Sequence, residues 1–123
     1  MIAFETREVR EFMIKSAINN TGPDQVTSFI KSLSKQNIEQ FITTGGKIYC
    51  GTVGANEALV MPFDWVWAER ASDAGDCLGV KIAFFLSSDE EAMTSVNRWL
   101  ISCRKQNQFL LNATEVITEQ NAD

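Results

Sequence analysis

The clearest pattern along this chain is an alternation of apolar and lighter residues at positions 59–67. The odd positions carry five large apolar side chains: Leu59, Met61, Phe63, Trp65 and Trp67. The positions between them carry smaller or polar residues. Because successive residues of a strand point to opposite faces of a sheet, this pattern predicts a strand with one heavy apolar face and one lighter face.

Two further alternating segments flank this strand and predict a β-meander. Its three antiparallel strands cover residues 47–53, 58–70 and 77–87. In the first hairpin Val53 opposes Ala58, and in the second Arg70 opposes Cys77. Both hairpins then place their large apolar side chains on the same face, because directly opposed residues share a face. A slip by one residue would destroy this agreement.

Helical patterns precede the predicted sheet. The first helix covers residues 6–19, and the second begins at Pro23 or Asp24, where a proline in the first turn is harmless. The apolar stripe of the second helix slips at residues 34–36, which predicts a kink or two short helices. Residues 43–46 then stop the helix, because glycine accepts the left-handed cap conformation.

A long helix follows the sheet and begins at Ser88. Ser88 and Glu91 have the spacing of a capping box. The tail over residues 110–123 is ambiguous between a short strand and a helix. The whole pattern predicts a single α+β domain over residues 1–123, with two N-terminal helices, a three-stranded antiparallel β-meander, a long C-terminal helix and a short tail.

Composition and charge exclude several classes of protein. The chain is 45% hydrophobic and 22% charged, which is typical of a globular domain. Its net charge is −5 and its basic residues are scattered, so we expect no binding to nucleic acid. No apolar run approaches the roughly 20 residues of a membrane span, so we expect no membrane partner. Three cysteines without a CxxC pair or a signal segment predict reduced thiols in a cytoplasmic protein.

The chain contains no histidine. This absence removes the commonest general base and the commonest metal ligand, and it excludes Ser-His-Asp and Cys-His catalysis within the chain. Cys77 is the thiol expected to be exposed, but it has no histidine to activate it. We therefore expect no cofactor and no metal, and the missing histidine favours a non-catalytic role while leaving an enzyme open.

The carboxylates leave two alternatives open. Asp64, Asp73 and Asp76 lie in or beside the central hairpin, where they would serve a small carboxylate-dependent enzyme with a divalent metal. Aspartate is also a routine turn residue, which is the simpler interpretation of Asp73 and Asp76. An acidic inhibitor that mimics nucleic acid would need carboxylates clustered on one surface, whereas this sequence spreads them over every element.

The lighter face of the predicted sheet is the candidate binding surface. Its candidate residues are Tyr49, Val60, Asp64, Val66, Lys81 and Phe85. A solvated antiparallel face is normally polar, whereas this face has an apolar centre. Either a helix of the chain covers it, or a second copy or another protein docks there. We therefore predict a non-catalytic binding or assembly module that acts through this face or as a homodimer.

Overall fold

The computed structural model of the chain describes residues 1–71, 75 and 77–122. The chain divides into two compact units, Met1–Asp76 and Cys77–Asp123. The expected α+β class is confirmed, because the described residues form five α-helices and one three-stranded antiparallel sheet. The organisation as a single domain stays a prediction.

The first unit is built around a short N-terminal strand at the centre of its sheet. Strand β1 (Ile2–Glu5) pairs antiparallel with β2 (Tyr49–Cys50) on one side and with β3 (Trp65–Ala68) on the other. The strand order is therefore β2–β1–β3. The sheet is antiparallel and has three strands, as predicted, but its strands are not joined as a meander.

The strands that build the sheet differ from those predicted from the alternation. The long strand predicted over residues 58–70 is confined to β3, and residues 77–86 adopt neither helix nor strand. Cys50 opposes Ile2, whereas the predicted hairpin places it opposite Met61. The physical reason is that alternation reports strand periodicity but not the pairing partner, and here β1 takes the position beside β2 and β3.

Three short helices complete the first unit. They are α1 (Thr6–Lys15), α2 (Pro23–Lys31) and α3 (Lys35–Thr43). The break predicted at residues 34–36 separates α2 from α3, because Ser34 caps α3 rather than continuing α2. The Oγ atom of Ser34 accepts a hydrogen bond from the backbone N–H of Asn37 at 3.1 Å.

An aromatic cluster links the sheet to the helices. Phe4 of β1 and Phe12 of α1 each meet the ring of Phe41 edge to face, with centroids 5.8 and 5.4 Å apart. Such pairs contribute about 0.5–1.5 kcal/mol beyond the area that they bury. The other large buried side chains of this unit are aliphatic or methionine: Val9, Met13, Val26 and Ile30.

The second unit is a pair of helices. A 3-10 turn (Ser87–Asp89) leads into α4 (Glu90–Ser102), and α5 (Gln108–Asn121) follows. The long C-terminal helix is confirmed, and the ambiguous tail is helical. The side chains buried in this unit are Met93, Asn97, Leu110 and Ile117. Burial of the Asn97 amide is compensated, because its Nδ2 donates to Oγ1 of Thr114 at 2.8 Å.

The helix ends of the second unit use other caps than the predicted one. The capping box expected from Ser88 to Glu91 is replaced by a hydrogen bond from the Leu86 N–H to the Asp89 carboxylate at 3.2 Å. At the start of α5, Asn107 Oδ1 accepts from the N–H of Leu110 at 3.0 Å. Across the part of the chain that the structure describes, no helix has the length and apolarity to cross a bilayer.

Gly46 follows α3 at a point where Phe41 leaves no room for a side chain. A Cβ atom on Gly46 would lie 2.5 Å from Cε1 and Cζ of Phe41, whose ring is held by Phe4 and Phe12. We expect Gly46→Ala to lower the free energy of unfolding by about 1–3 kcal/mol, the usual cost of overpacking. Urea denaturation measures the loss.

The matched control for this substitution is Gly51→Ala. A Cβ atom on Gly51 meets no atom within 4 Å, so this variant should unfold within about 0.5 kcal/mol of the wild type. Equal losses for Gly46→Ala and Gly51→Ala would contradict the packing described for Phe41.

Candidate interaction surface

The candidate residues of the predicted lighter face do not share one sheet face. Four of them belong to the first unit: Tyr49, Val60, Asp64 and Val66. The other two belong to the second unit, in a stretch without strand structure: Lys81 and Phe85. The predicted face is therefore not assembled by the strands that the structure describes, and a binding role for these residues stays a prediction.

Tyr49 and Val66 lie on opposite faces of the sheet. Ala3 of β1 opposes both Tyr49 and Trp67, so these two aromatic residues share a face. Val66 opposes Phe4, whose ring packs against α3. The expectation that Tyr49 and Val66 share a face is wrong, because β1 separates β2 from β3 and sets which side chains align.

The face that carries Tyr49 is aromatic and partly exposed. The rings of Tyr49 and Trp65 lie 4.8 Å apart between centroids, at an angle of 53°. Tyr49 is 46% exposed and Trp67 is 43% exposed. The heavy apolar face that the alternation predicts for Trp67 is therefore not buried at this residue, because Phe4 packs against α3 from the opposite face of the sheet.

Asp64 has a structural role at the start of β3. It adopts a left-handed backbone conformation with φ of 61°, which aspartate and asparagine tolerate better than most residues. Its carbonyl oxygen accepts the backbone N–H of Thr6 at 3.1 Å, and its carboxylate accepts a hydrogen bond from the Thr6 side chain. The N-cap residue Glu5 makes no side-chain cap. Asp64 thus satisfies polar groups at the start of α1 from another part of the chain.

Burial raises the pKa of Asp64 above its ordinary value. The hydrogen bond from Thr6 and the positive charges of Arg10 and Arg7 lower this pKa, but they offset the desolvation only in part. The folded protein therefore holds the Asp64 proton to a higher pH than the unfolded chain does. The contribution of Asp64 to stability consequently falls as the pH rises from the unfolded pKa to the folded pKa, and it is constant above both.

Of the three aspartates proposed for a carboxylate-dependent enzyme, the structure describes Asp64. Asp73 and Asp76 lie outside the described residues, so their relation to Asp64 is not defined. Within the described ranges, no three side chains of histidine, cysteine, aspartate or glutamate come together in a group able to hold a metal ion. The metal-dependent enzyme stays a prediction.

The described residues of each unit line one depression or cavity, and the two differ in character. In the first unit, apolar side chains around Phe41 enclose about 10 Å³, which is room for one water molecule. In the second unit, an open polar depression lies beside the start of α4. Asn121 engages two of the polar groups that line it, because its Nδ2 donates to the Ser87 carbonyl at 3.0 Å and to Glu90 Oε2 at 2.7 Å.

Residues 77–86 carry a row of exposed apolar side chains, which we call the apolar segment. Its even positions alternate as in a strand: Leu78, Val80, Ile82, Phe84 and Leu86. Leu78 is fully exposed, Val80 is 87% exposed and Ile82 is 81% exposed. The predicted meander places these side chains on the heavy face of the sheet, and that expectation is wrong, since this segment joins no described strand.

Phe85, an odd-numbered residue near the C-terminal end of the apolar segment, contacts α5. The ring of Phe85 is half-buried and lies 5.4 Å from the ring of Phe109 in α5, measured between centroids. The neighbours of Phe85 in the sequence are Phe84 and Leu86. Both of these side chains are exposed.

Comparison of the chain with family models, curated proteins and solved structures finds no match. The function is therefore inferred from the surfaces of this chain alone.

Substitutions at Asp64 should separate the effect of its hydrogen bonding on the free energy of unfolding from the effect of its charge. We expect Asp64→Ala to lower the free energy of unfolding at neutral pH by about 2 kcal/mol, because it leaves the buried Thr6 hydroxyl without its acceptor and places alanine at a positive φ. Asp64→Asn keeps an acceptor and tolerates this φ, so its stability should match or exceed that of the wild type. Chemical denaturation at pH 7 measures both variants.

The same variants test the raised pKa. Between the ordinary aspartate pKa and neutral pH, the wild type should lose stability relative to Asp64→Asn as the pH rises, because only the wild type ionises at this buried position. A stability difference that does not vary with pH, or one that favours the wild type increasingly as the pH rises, would contradict the assignment.

Proposed function

We propose that this protein is a non-catalytic assembly module that forms a homodimer through the apolar segment. The observation that supports the proposal is the exposure of its alternating side chains, five large apolar residues in one row. Natural proteins rarely leave such a row in contact with water, because a contiguous apolar patch is an interaction site or a cause of aggregation.

The area of this row is close to what a stable interface needs. Five side chains of this size and exposure present roughly 650 Å² per copy, compared with the roughly 800 Å² that each partner contributes to a standard interface. A second copy that covers the row would therefore remove about as much surface from water as a specific complex does. The aromatic face of the first unit offers less exposed area for each side chain.

The composition of the segment favours a protein partner over nucleic acid. Lys81 is the one charged residue among residues 77–86. Depletion of charge is typical of the centre of a protein interface, whereas nucleic-acid binding depends on clustered basic residues. The partner class that we propose is therefore a second copy of this chain.

The lack of histidine supports a binding role over an enzymatic one. The chain has no histidine, and its cysteines are free thiols: Cys50, Cys77 and Cys103. Thiols without a neighbouring base are weak nucleophiles at neutral pH. Free thiols are also typical of reducing compartments, which supports the proposal of a cytoplasmic protein.

Light scattering coupled to size-exclusion chromatography tests the proposed function. The wild type should elute as a discrete dimer, and Ile82→Lys should shift the mass towards the monomer because it places a charge in the apolar row. The matched control is Ile14→Lys, the same substitution at an exposed isoleucine on α1, which should leave the dimer intact.

Three results would contradict the proposed function. They are a wild type that is monomeric at every concentration, a polydisperse aggregate instead of a discrete species, and equal dissociation by Ile82→Lys and Ile14→Lys. Circular dichroism of both variants checks that a decrease in the measured molar mass is not caused by unfolding.

A further inference from the structure

We propose that the outer edge of β3 binds an extended basic segment of a partner protein, which joins the sheet as an antiparallel fourth strand. This surface includes none of the residues of the apolar segment, so the inference does not depend on the proposed homodimer. Three features support it: the hydrogen-bond pattern of the sheet, the aromatic side chains beside the edge, and the charge of the face that carries them.

The hydrogen bonds of the sheet establish which backbone groups face each neighbouring strand. Met1 and Gly51 exchange hydrogen bonds at 3.0 and 3.1 Å, and the N–H of Thr6 donates to the Asp64 carbonyl at 3.1 Å. In an antiparallel sheet, the N–H and C=O groups of successive residues alternate between the two sides of a strand. Odd residues along β1 therefore bond towards β2, and even residues bond towards β3, where their partners are also even.

Trp65 and Trp67 direct their backbone N–H and C=O groups to the outer edge of β3, because they are the odd residues of this strand. Within the part of the chain that the structure describes, no strand pairs with this edge, and these backbone groups form no hydrogen bond. Such a row of donors and acceptors is a template for a further strand. Addition of an extended peptide to a sheet edge is a recurring mode of recognition, in which the backbone hydrogen bonds supply affinity.

The side chains of Trp65 and Trp67 determine what an added strand meets beside this edge. Both lie on the aromatic face of the sheet, together with Tyr49 of β2. Directly opposed residues share a face, so every second side chain of an added strand lies against the indole rings. The specificity of the edge therefore depends on which side chains suit a partly exposed aromatic surface.

The charge of the aromatic face favours basic side chains at those positions. Glu5 opposes Trp65, so its side chain lies on this face. The Glu5 carboxylate is partly exposed and has no hydrogen bond or ion pair within the described residues. A lysine or arginine that lies across the Trp65 ring towards Glu5 gains a cation–π contact and an opposite charge. The chain has a net charge of −5, which favours a basic segment over a second copy of the same charge.

Binding of synthetic peptides to the full chain tests the strand addition. The probe is a fluorescein-labelled peptide of about seven residues in which lysine and threonine alternate, and the control peptide has glutamate in place of lysine. In an antiparallel fourth strand the lysines that lie on the aromatic face also direct their N–H groups to β3. By fluorescence anisotropy, we expect the basic peptide to bind at least about tenfold more tightly than the acidic one.

Methylation of the peptide nitrogens separates backbone pairing from charge. N-methylation of the lysine residues removes the donors that face β3 and should weaken binding at least about tenfold, whereas N-methylation of the threonine residues should weaken it less than about threefold. Both methylated peptides keep the charge of the probe, so a purely electrostatic attraction would not distinguish them.

A pair of protein variants tests the location of the site. Trp67→Ala should weaken binding of the basic peptide at least about fivefold, because it removes an exposed ring beside the edge. The matched control is Phe109→Ala, the loss of an exposed aromatic ring on α5, which should change the affinity less than about twofold. Circular dichroism checks that both variants are folded.

Several outcomes would overturn this inference. They are no binding of the basic peptide at about 1 mM, equal binding of the basic and acidic peptides, equal effects of the two methylation patterns, and equal effects of Trp67→Ala and Phe109→Ala. A stronger effect of methylation at threonine would overturn the antiparallel direction. A dimer that Trp67→Ala dissociates, in a protein that does not bind the peptide, would assign the edge to a second copy. A monomeric wild type that binds the peptides as expected would remove the proposed homodimer alone.

Discussion

The first unit depends on the pairing of β1 with strands on both of its sides. This four-residue strand joins β2 and β3, which are otherwise not neighbours in the sheet. Its register turns Phe4 into the aromatic cluster with Phe41 and turns Ala3 to the opposite face, between Tyr49 and Trp67. At the start of α1, directly after β1, the backbone N–H of Thr6 donates to the carbonyl oxygen of Asp64 beside β3. The division of the sheet into a covered and an aromatic face follows from this one strand.

The helices could be predicted from the sequence because their signals are local. Pro23 in a first turn, the polar break around Ser34 and a glycine with φ of 92° at position 45 each act within a few residues of the helix end that they define. The sheet depends on partners far apart in sequence. Residues 2–5 are too few to show a period, so the central strand carried no signal that could be separated from an apolar N-terminus.

The candidate surface could be predicted in part. Alternation identified the apolar row within residues 77–87, but it placed that row on a sheet face that these residues do not join. The predicted lighter face depended on the meander. The structure does not form this meander, and Tyr49 and Val66 lie on opposite faces of the sheet. The role of Asp64 was not predictable, because it depends on contact with Thr6, which is distant in sequence.

A strand pattern in a segment that joins no described strand is a conflict between local sequence and structure. Such conflicts concentrate at functional sites, because a binding surface must keep its contacts for a partner. The proposed homodimer accounts for this conflict, because in it a second copy covers the exposed apolar row.

Hydrogen exchange of the backbone amides of residues 78–86, followed as a function of protein concentration, tests this account most directly. The proposed homodimer predicts that protection of these amides increases with concentration, because association through the apolar segment shields them from water, while protection of the β1 amides does not change. Rapid exchange at every concentration would contradict the account, and so would protection that is already complete in a dilute, monomeric sample.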